Sequence, residues 1–136
     1  MNIARVFSAQ PSLMSADIVT LETDLSRGLF SFTIVGLPGK AVEEARDRVN
    51  SALKNSGFKS PKSENYKVVI ALAPADLKKE GPLFDLPMAI SYLIASSVIT
   101  SDVARTLFVG ELALDGTLRL IKGVLPIVRK AKEAGF

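Results

Sequence analysis

The spacing of apolar positions changes several times along the chain, and each change predicts an element. Ile3–Ala9 mixes β-formers and predicts a first strand, broken by Pro11 and Ser12. Ile18, Val19 and Leu21 mark a second strand over about Ala16–Thr23, and Asp24–Gly28 reads as a turn. Phe30, Phe32 and Ile34 alternate with Ser31 and Thr33, the period of two of a half-buried strand. Short connections between these three strands suggest an antiparallel meander.

After Gly36-Leu37-Pro38-Gly39 the period lengthens. Val42, Ala45, Val49, Ala52 and Leu53 recur at spacings of three and four, one face of an amphipathic helix. Glu43 and Glu44 in its first turns and Lys54 in its last suit the helix dipole, and Asn55-Ser56-Gly57 supplies the stop. Ser60–Asn65 is a polar loop. Lys67–Ala73 is almost continuously apolar and predicts a strand buried on both faces. Pro74–Pro82 is a loop, after which Asp85 suits an N-cap and Pro87 a first helical turn. That helix runs to about Ser97 and is apolar almost all round, so it belongs in the core. Thr106–Leu112 and Thr117–Ile121 predict strands joined through Asp115-Gly116, a hairpin dipeptide. Val124–Ala134 predicts a last helix, with Gly135 as its stop. The order β-β-β-α-β-α-β-β-α predicts an α/β (α+β) fold, a mixed β-sheet with helices packed mainly on one face, within a single domain over residues 1–136.

Composition narrows the chemistry. The chain has no Cys and no His, which excludes thiolate catalysis, disulfides, a Ser-His-Asp triad and a Cys/His zinc site. It has no Trp, and Tyr66 and Tyr92 are its tyrosines, so broad aromatic stacking on bases is not expected. A net charge of +3 and a pI of about 9.3 permit contact with nucleic acid without requiring it. No basic start leads into a long apolar core, and the densest apolar stretches, Val68–Ala75 and Leu86–Ala95, are too short to cross a bilayer. The expectation is a soluble, cytoplasmic chain with no membrane partner.

Four segments invite a chemical reading. Phe32–Lys40 has the strand, glycine turn and Gly-Lys of a phosphate loop. However, Ile34 stands where the first glycine belongs and Ala41 where a Ser or Thr would bind Mg²⁺. Pro38 also removes an N–H, so the segment reads as a turn into a helix. The acidic and lysine residues of Pro74–Ile90 read as a solvated loop followed by a capped helix. Gly110–Gly116 reads as a strand into a tight turn, with Glu111 available for a partner contact or an ion pair. Lys54, Lys59, Lys62 and Lys67 form a basic cluster opposed only by Glu64, and Arg129, Lys130 and Lys132 lie on the last helix. Such groups can neutralise phosphates without reading bases.

Three long stretches carry a resemblance: GLFSFTIVGLPGKAVEEARDRVNSALKNSGF, ALAPADLKKEGPLFDLPMAI and LFVGELALDGTLRLIKGVLP. Together they resemble the N-terminal domain of the Mg-chelatase-like AAA+ ATPases of the ComM/YifB type (a ChlI-like domain), over nearly the whole chain from Ala4 to Gly135. The resemblance implies a ribosomal protein S5 domain 2-like fold, shared with the proteolytic domain of Lon. It implies a following ATPase module that supplies the ATP and Mg sites, and hexameric assemblies, some of which remodel DNA by branch migration. The matching positions with structural roles are Gly36, Pro38, Asp76, Gly81, Pro82, Asp85, Pro87, Gly110, Glu111, Asp115, Gly116 and Gly123.

The kinship with Lon implies a test for a Ser-Lys dyad. The run Glu80-Gly81-Pro82-Leu83-Phe84-Asp85 places Leu83 where the serine would stand, and the lysine position falls at about Ile127, with Lys122 and Arg129 nearby. Leucine cannot attack a carbonyl. The expectation is therefore a domain with no catalytic, cofactor-binding or metal-binding residue of its own. It would serve as a scaffold or regulatory domain, with the ATPase module and neighbouring subunits as partners. The alternative is a nucleic-acid-binding module that meets DNA phosphates through Lys54, Lys59, Lys62 and Lys67.

Overall fold

The computed structural model describes residues 2–136. Strands β1 (Asn2–Pro11) and β2 (Ala16–Arg27) pair antiparallel from Asn2↔Leu25 to Pro11↔Ala16. Strand β3 (Ser31–Val35) leads through helix α1 (Lys40–Asn55) to strand β4 (Tyr66–Ala73). The sheet order is β1-β2-β4-β3, with β4 antiparallel to β2 and parallel to β3. The expected meander is thus wrong at its third strand. β4 is the longer and more apolar strand, so it takes the interior place and pairs on both edges. The five-residue β3 goes outside it, joined by a helical crossover as a parallel pair requires. β2 also outruns its expected end, because pairing with both neighbours carries it through Leu25, which is buried, to Arg27.

One face of this sheet makes the main core. Val6, Leu21, Ile70, Leu72, Phe32 and Ile34 alternate onto it and are covered by α1 and by helix α2 (Asp85–Ala95). The five predicted positions of α1 are its buried ones, and α2 is buried on almost every side. Thr23 and Ser91 hydroxyls meet at 2.6 Å in this layer and satisfy each other. Helix α3 (Val124–Glu133) lies on the opposite face, where Ile127 packs against Ala9 and Ala16 of the β1–β2 hairpin. Of the three α-helices among the described residues, α1 and α2 therefore share a face. α3 covers the hairpin only, so Lys67 and Val69 of β4 are exposed, and the expectation of a strand buried on both faces is corrected.

The segment 106–112 is mostly not a strand. Its ladder shrinks to β5 (Glu111–Leu112), paired with β6 (Leu118–Arg119) across the Asp115-Gly116 turn. The reason is Gly110, whose N–H donates to Leu83 O (2.9 Å) and whose carbonyl accepts from Leu86 N–H (3.0 Å). Those bonds tie the segment to the start of α2 instead of to a continuing ladder. Just upstream, Phe108 N–H donates to Phe7 O (2.9 Å) and partly covers the β1 edge.

Candidate functional site

A cavity of about 450 Å³ opens where the end of β1, the loop before α2, β5 and the approach to α3 converge. Gln10, Glu80, Gly81, Leu83, Glu111 and Lys122 are among its walls. Three stitches shape it. Gly39 N–H donates to Lys79 O (2.7 Å) and Lys79 N–H to Leu37 O (3.0 Å), joining the Gly36–Gly39 turn to the loop. The third is the Gln10 amide, which donates from Nε2 to Lys78 O (2.8 Å) and accepts at Oε1 from Glu80 N–H (3.0 Å). Lys79 turns inward, is buried, and donates to the Pro74 carbonyl; burial pushes its ammonium pKa down, while Asp76 pulls it the other way. A Cβ on Gly36 would overlap the Leu72 carbonyl oxygen, and Pro38 bridges to Lys79. This glycine turn is therefore packed against protein backbone, with the Gly39 N–H already engaged.

Leu83 lies in the 3-10 turn Pro82–Phe84 that leads into α2, buried at the cavity wall. The basic residue that shares this cavity is Lys122. Ile127, the expected lysine position, packs instead behind the hairpin with Ala9 and Ala16.

Asp85 is not an N-cap. It is the first residue of α2, makes no capping bond and is fully buried. Its carboxylate accepts Arg48 Nε at 2.7 Å and Nη2 at 3.0 Å, and Leu112 N–H at 3.0 Å. Arg48 Nη2 also donates to Ala41 O (2.7 Å). One carboxylate thus joins α1, α2 and β5. The bond to Asp85 raises the Arg48 pKa; burial pushes the Asp85 carboxyl up, while the Arg48 and Leu112 bonds oppose that rise. The sequence did carry a signal for this pair. Arg48 falls between Ala45 and Ala52 at helical spacing, a charge set into the apolar stripe of α1.

The other motif residues hold the surrounding frame. Glu111, half-buried, pairs with Arg119 at 3.6 Å across β5 and β6. Asp115 accepts Thr117 N–H (3.0 Å) and Oγ1 (2.8 Å), which hold its carboxyl below the usual range. Pro87 is buried within α2 and Asp76 stays exposed in its loop. A Cβ on Gly116 would overlap Ser56 Oγ, and one on Gly123 would overlap Pro11.

The basic cluster is not a single patch. Lys59 and Lys62 share the loop after α1, and Lys59 pairs with Glu64 at 3.7 Å. Tyr92 OH donates to Lys59 O (2.9 Å) and anchors that loop to α2. Lys54 ends α1 on the covered face of the sheet, whereas Lys67 rises from the open face, with its stem beside Gly28. Among the described residues, no group of three or more acidic residues is placed to hold a metal ion, and no helix is long and apolar enough to cross a membrane.

Residues 21–136 match the family model described as subunit ChlI of Mg-chelatase, and the chain belongs to this Mg-chelatase-like family. It is 47% identical over 135 residues to the competence protein ComM of Haemophilus influenzae, covering 98% of this chain and 26% of that protein. It is 46% identical over 123 residues to the uncharacterized protein YifB of Escherichia coli, covering 90% and 24%. An uncharacterized Mycobacterium tuberculosis protein is 38% identical over 137 residues, covering 100% and 27%. The chain spans about a quarter of the length of the curated relatives it matches.

Proposed function

We propose that this chain is a non-catalytic scaffold and regulatory domain of a longer Mg-chelatase-like AAA+ ATPase. It positions the ATPase module and neighbouring subunits in a ring that remodels DNA, and the module supplies the ATP and Mg sites. The observation that supports this most is Leu83. The main cavity, where a nucleophile would be needed, presents a buried hydrocarbon side chain there. Two residues beyond Leu83, the buried Asp85 carboxylate is fully engaged by Arg48 and Leu112. Both features serve packing, and the missing His and Cys narrow the alternatives further.

The test is removal of residues 1–136 from the full-length protein, followed by measurement of oligomer mass and ATP turnover per subunit. The reading expects the assembled ring to be lost or its turnover to become unregulated. Unchanged assembly and unchanged turnover would sink it.

A further inference from the structure

Six apolar side chains at one end of the molecule stand in solvent. Leu13 and Met14, at the tip of the β1–β2 hairpin, are 101% and 96% exposed. Leu120 is 100% exposed, and Val124, Leu125 and Val128 lie between 49% and 61%. They come from three segments that the fold draws together. Met14 and Leu125 line one depression of about 250 Å³, with Arg129 and Glu133 beside them. Pro11 packs on Gly123, and Pro11 and Leu120 share the wall of the main cavity.

The hairpin tip is formed, not frayed, since Ser12 N–H donates to Ser15 O at 3.0 Å. A tight turn usually carries Gly, Asn or Asp at such a tip. Here it displays a leucine and a methionine instead. Exposed apolar side chains gathered from neighbouring segments, with charged residues beside them, are the signature of a protein contact.

We propose that the patch of Leu13, Met14, Leu120, Val124, Leu125 and Val128 docks on the ATPase portion of the longer polypeptide. This rests on the scaffold reading above and names the surface through which it acts. The occupant follows from length. The relatives match this chain over 90–100% of its extent, yet they are about four times as long. The other three-quarters of such a protein is tethered to this domain. Attachment in one polypeptide raises its local concentration, so it reaches a modest apolar patch ahead of partners free in solution. The open face of the sheet suits this role less well. It carries the Arg5–Glu22 ion pair and Lys67 among its exposed side chains.

The test uses the full-length protein with the photo-crosslinking residue p-benzoylphenylalanine in place of Met14. A second variant carries it in place of Leu29, a leucine also largely exposed, beyond the other end of β2. The Met14 probe is expected to link to peptides of the ATPase portion at least about tenfold more than the Leu29 probe. An added Leu13→Asp substitution should abolish that excess; because Leu13 is fully exposed, the domain stays folded. Links only to a second copy of this domain, links only to an unrelated protein, or yields no higher than at Leu29 would each overturn the proposal. If deleting the domain abolishes assembly but Met14 links to nothing, the surface is wrong and the scaffold reading stands. If deletion leaves assembly and turnover unchanged, the scaffold reading itself fails.

Discussion

At the scale of single residues, the Arg48–Asp85 pair ties α1, α2 and β5 together through one carboxylate. The Asp85 side chain is fully buried while that of Arg48 keeps 20% of its surface exposed, so the pair is costly to desolvate and costlier to break. Asp85→Ala leaves the guanidinium without its partner and Leu112 N–H without an acceptor. It should lower unfolding stability by about 3 kcal/mol in chemical denaturation. Arg48→Met combined with Asp85→Leu should recover most of that loss, because no charge is then stranded. A loss below about 1 kcal/mol in the single variant would mean that the pair is ornamental. Tyr92 offers a pH test. Burial pushes its phenol up to about 12, whereas the unfolded chain ionises near 10. A raised folded pKa means that the contribution is complete below pH 10 and is lost as pH climbs toward 12. Tyr92→Phe should cost about 1 kcal/mol at pH 8 through the lost bond to Lys59. The gap to wild type should close between pH 10 and pH 12; a gap that stays constant across that range would contradict the assignment.

At the scale of elements, the helices were the most legible part. The three-and-four spacing of Val42 to Leu53 names the buried face of α1, and the all-round apolar α2 sits in the core. Sheet order was not legible. Periodicity reports which side of a strand is covered but not which strand it pairs with, so β4 could not be seen between β2 and β3. The apolar run of β4 misled for a related reason. Its outward positions are open because α3 ends over the hairpin, and only tertiary packing decides that. Asp85 was misplaced because an acid at a helix start reads equally well as a cap or as an ion-pair partner until the helix opposite is known. The seating of α3 depends on Gly123, where φ is +80° and a Cβ would overlap Pro11. Gly123→Ala should therefore destabilise by at least about 1–2 kcal/mol from the left-handed conformation alone. In hydrogen exchange, the amides of Val124–Glu133 should lose protection before those of β2 and β4. Equal loss in all three elements would show that α3 is not separately anchored.

At the scale of the whole molecule, the chain keeps a cavity where the resemblance places a peptidase serine, and the buried side chain of Leu83 fills that position. The part of this legible in the sequence was Leu83. The sequence put Lys122 only near the lysine position at about Ile127, and the folded chain shows that Lys122, not Ile127, shares the cavity. Leu83→Ala separates packing from chemistry at the one position where they compete. In the full-length protein the domain's unfolding stability should fall by about 2–5 kcal/mol. ATP turnover per assembled oligomer should stay unchanged. Unchanged stability with turnover per assembled oligomer collapsed would contradict the scaffold reading.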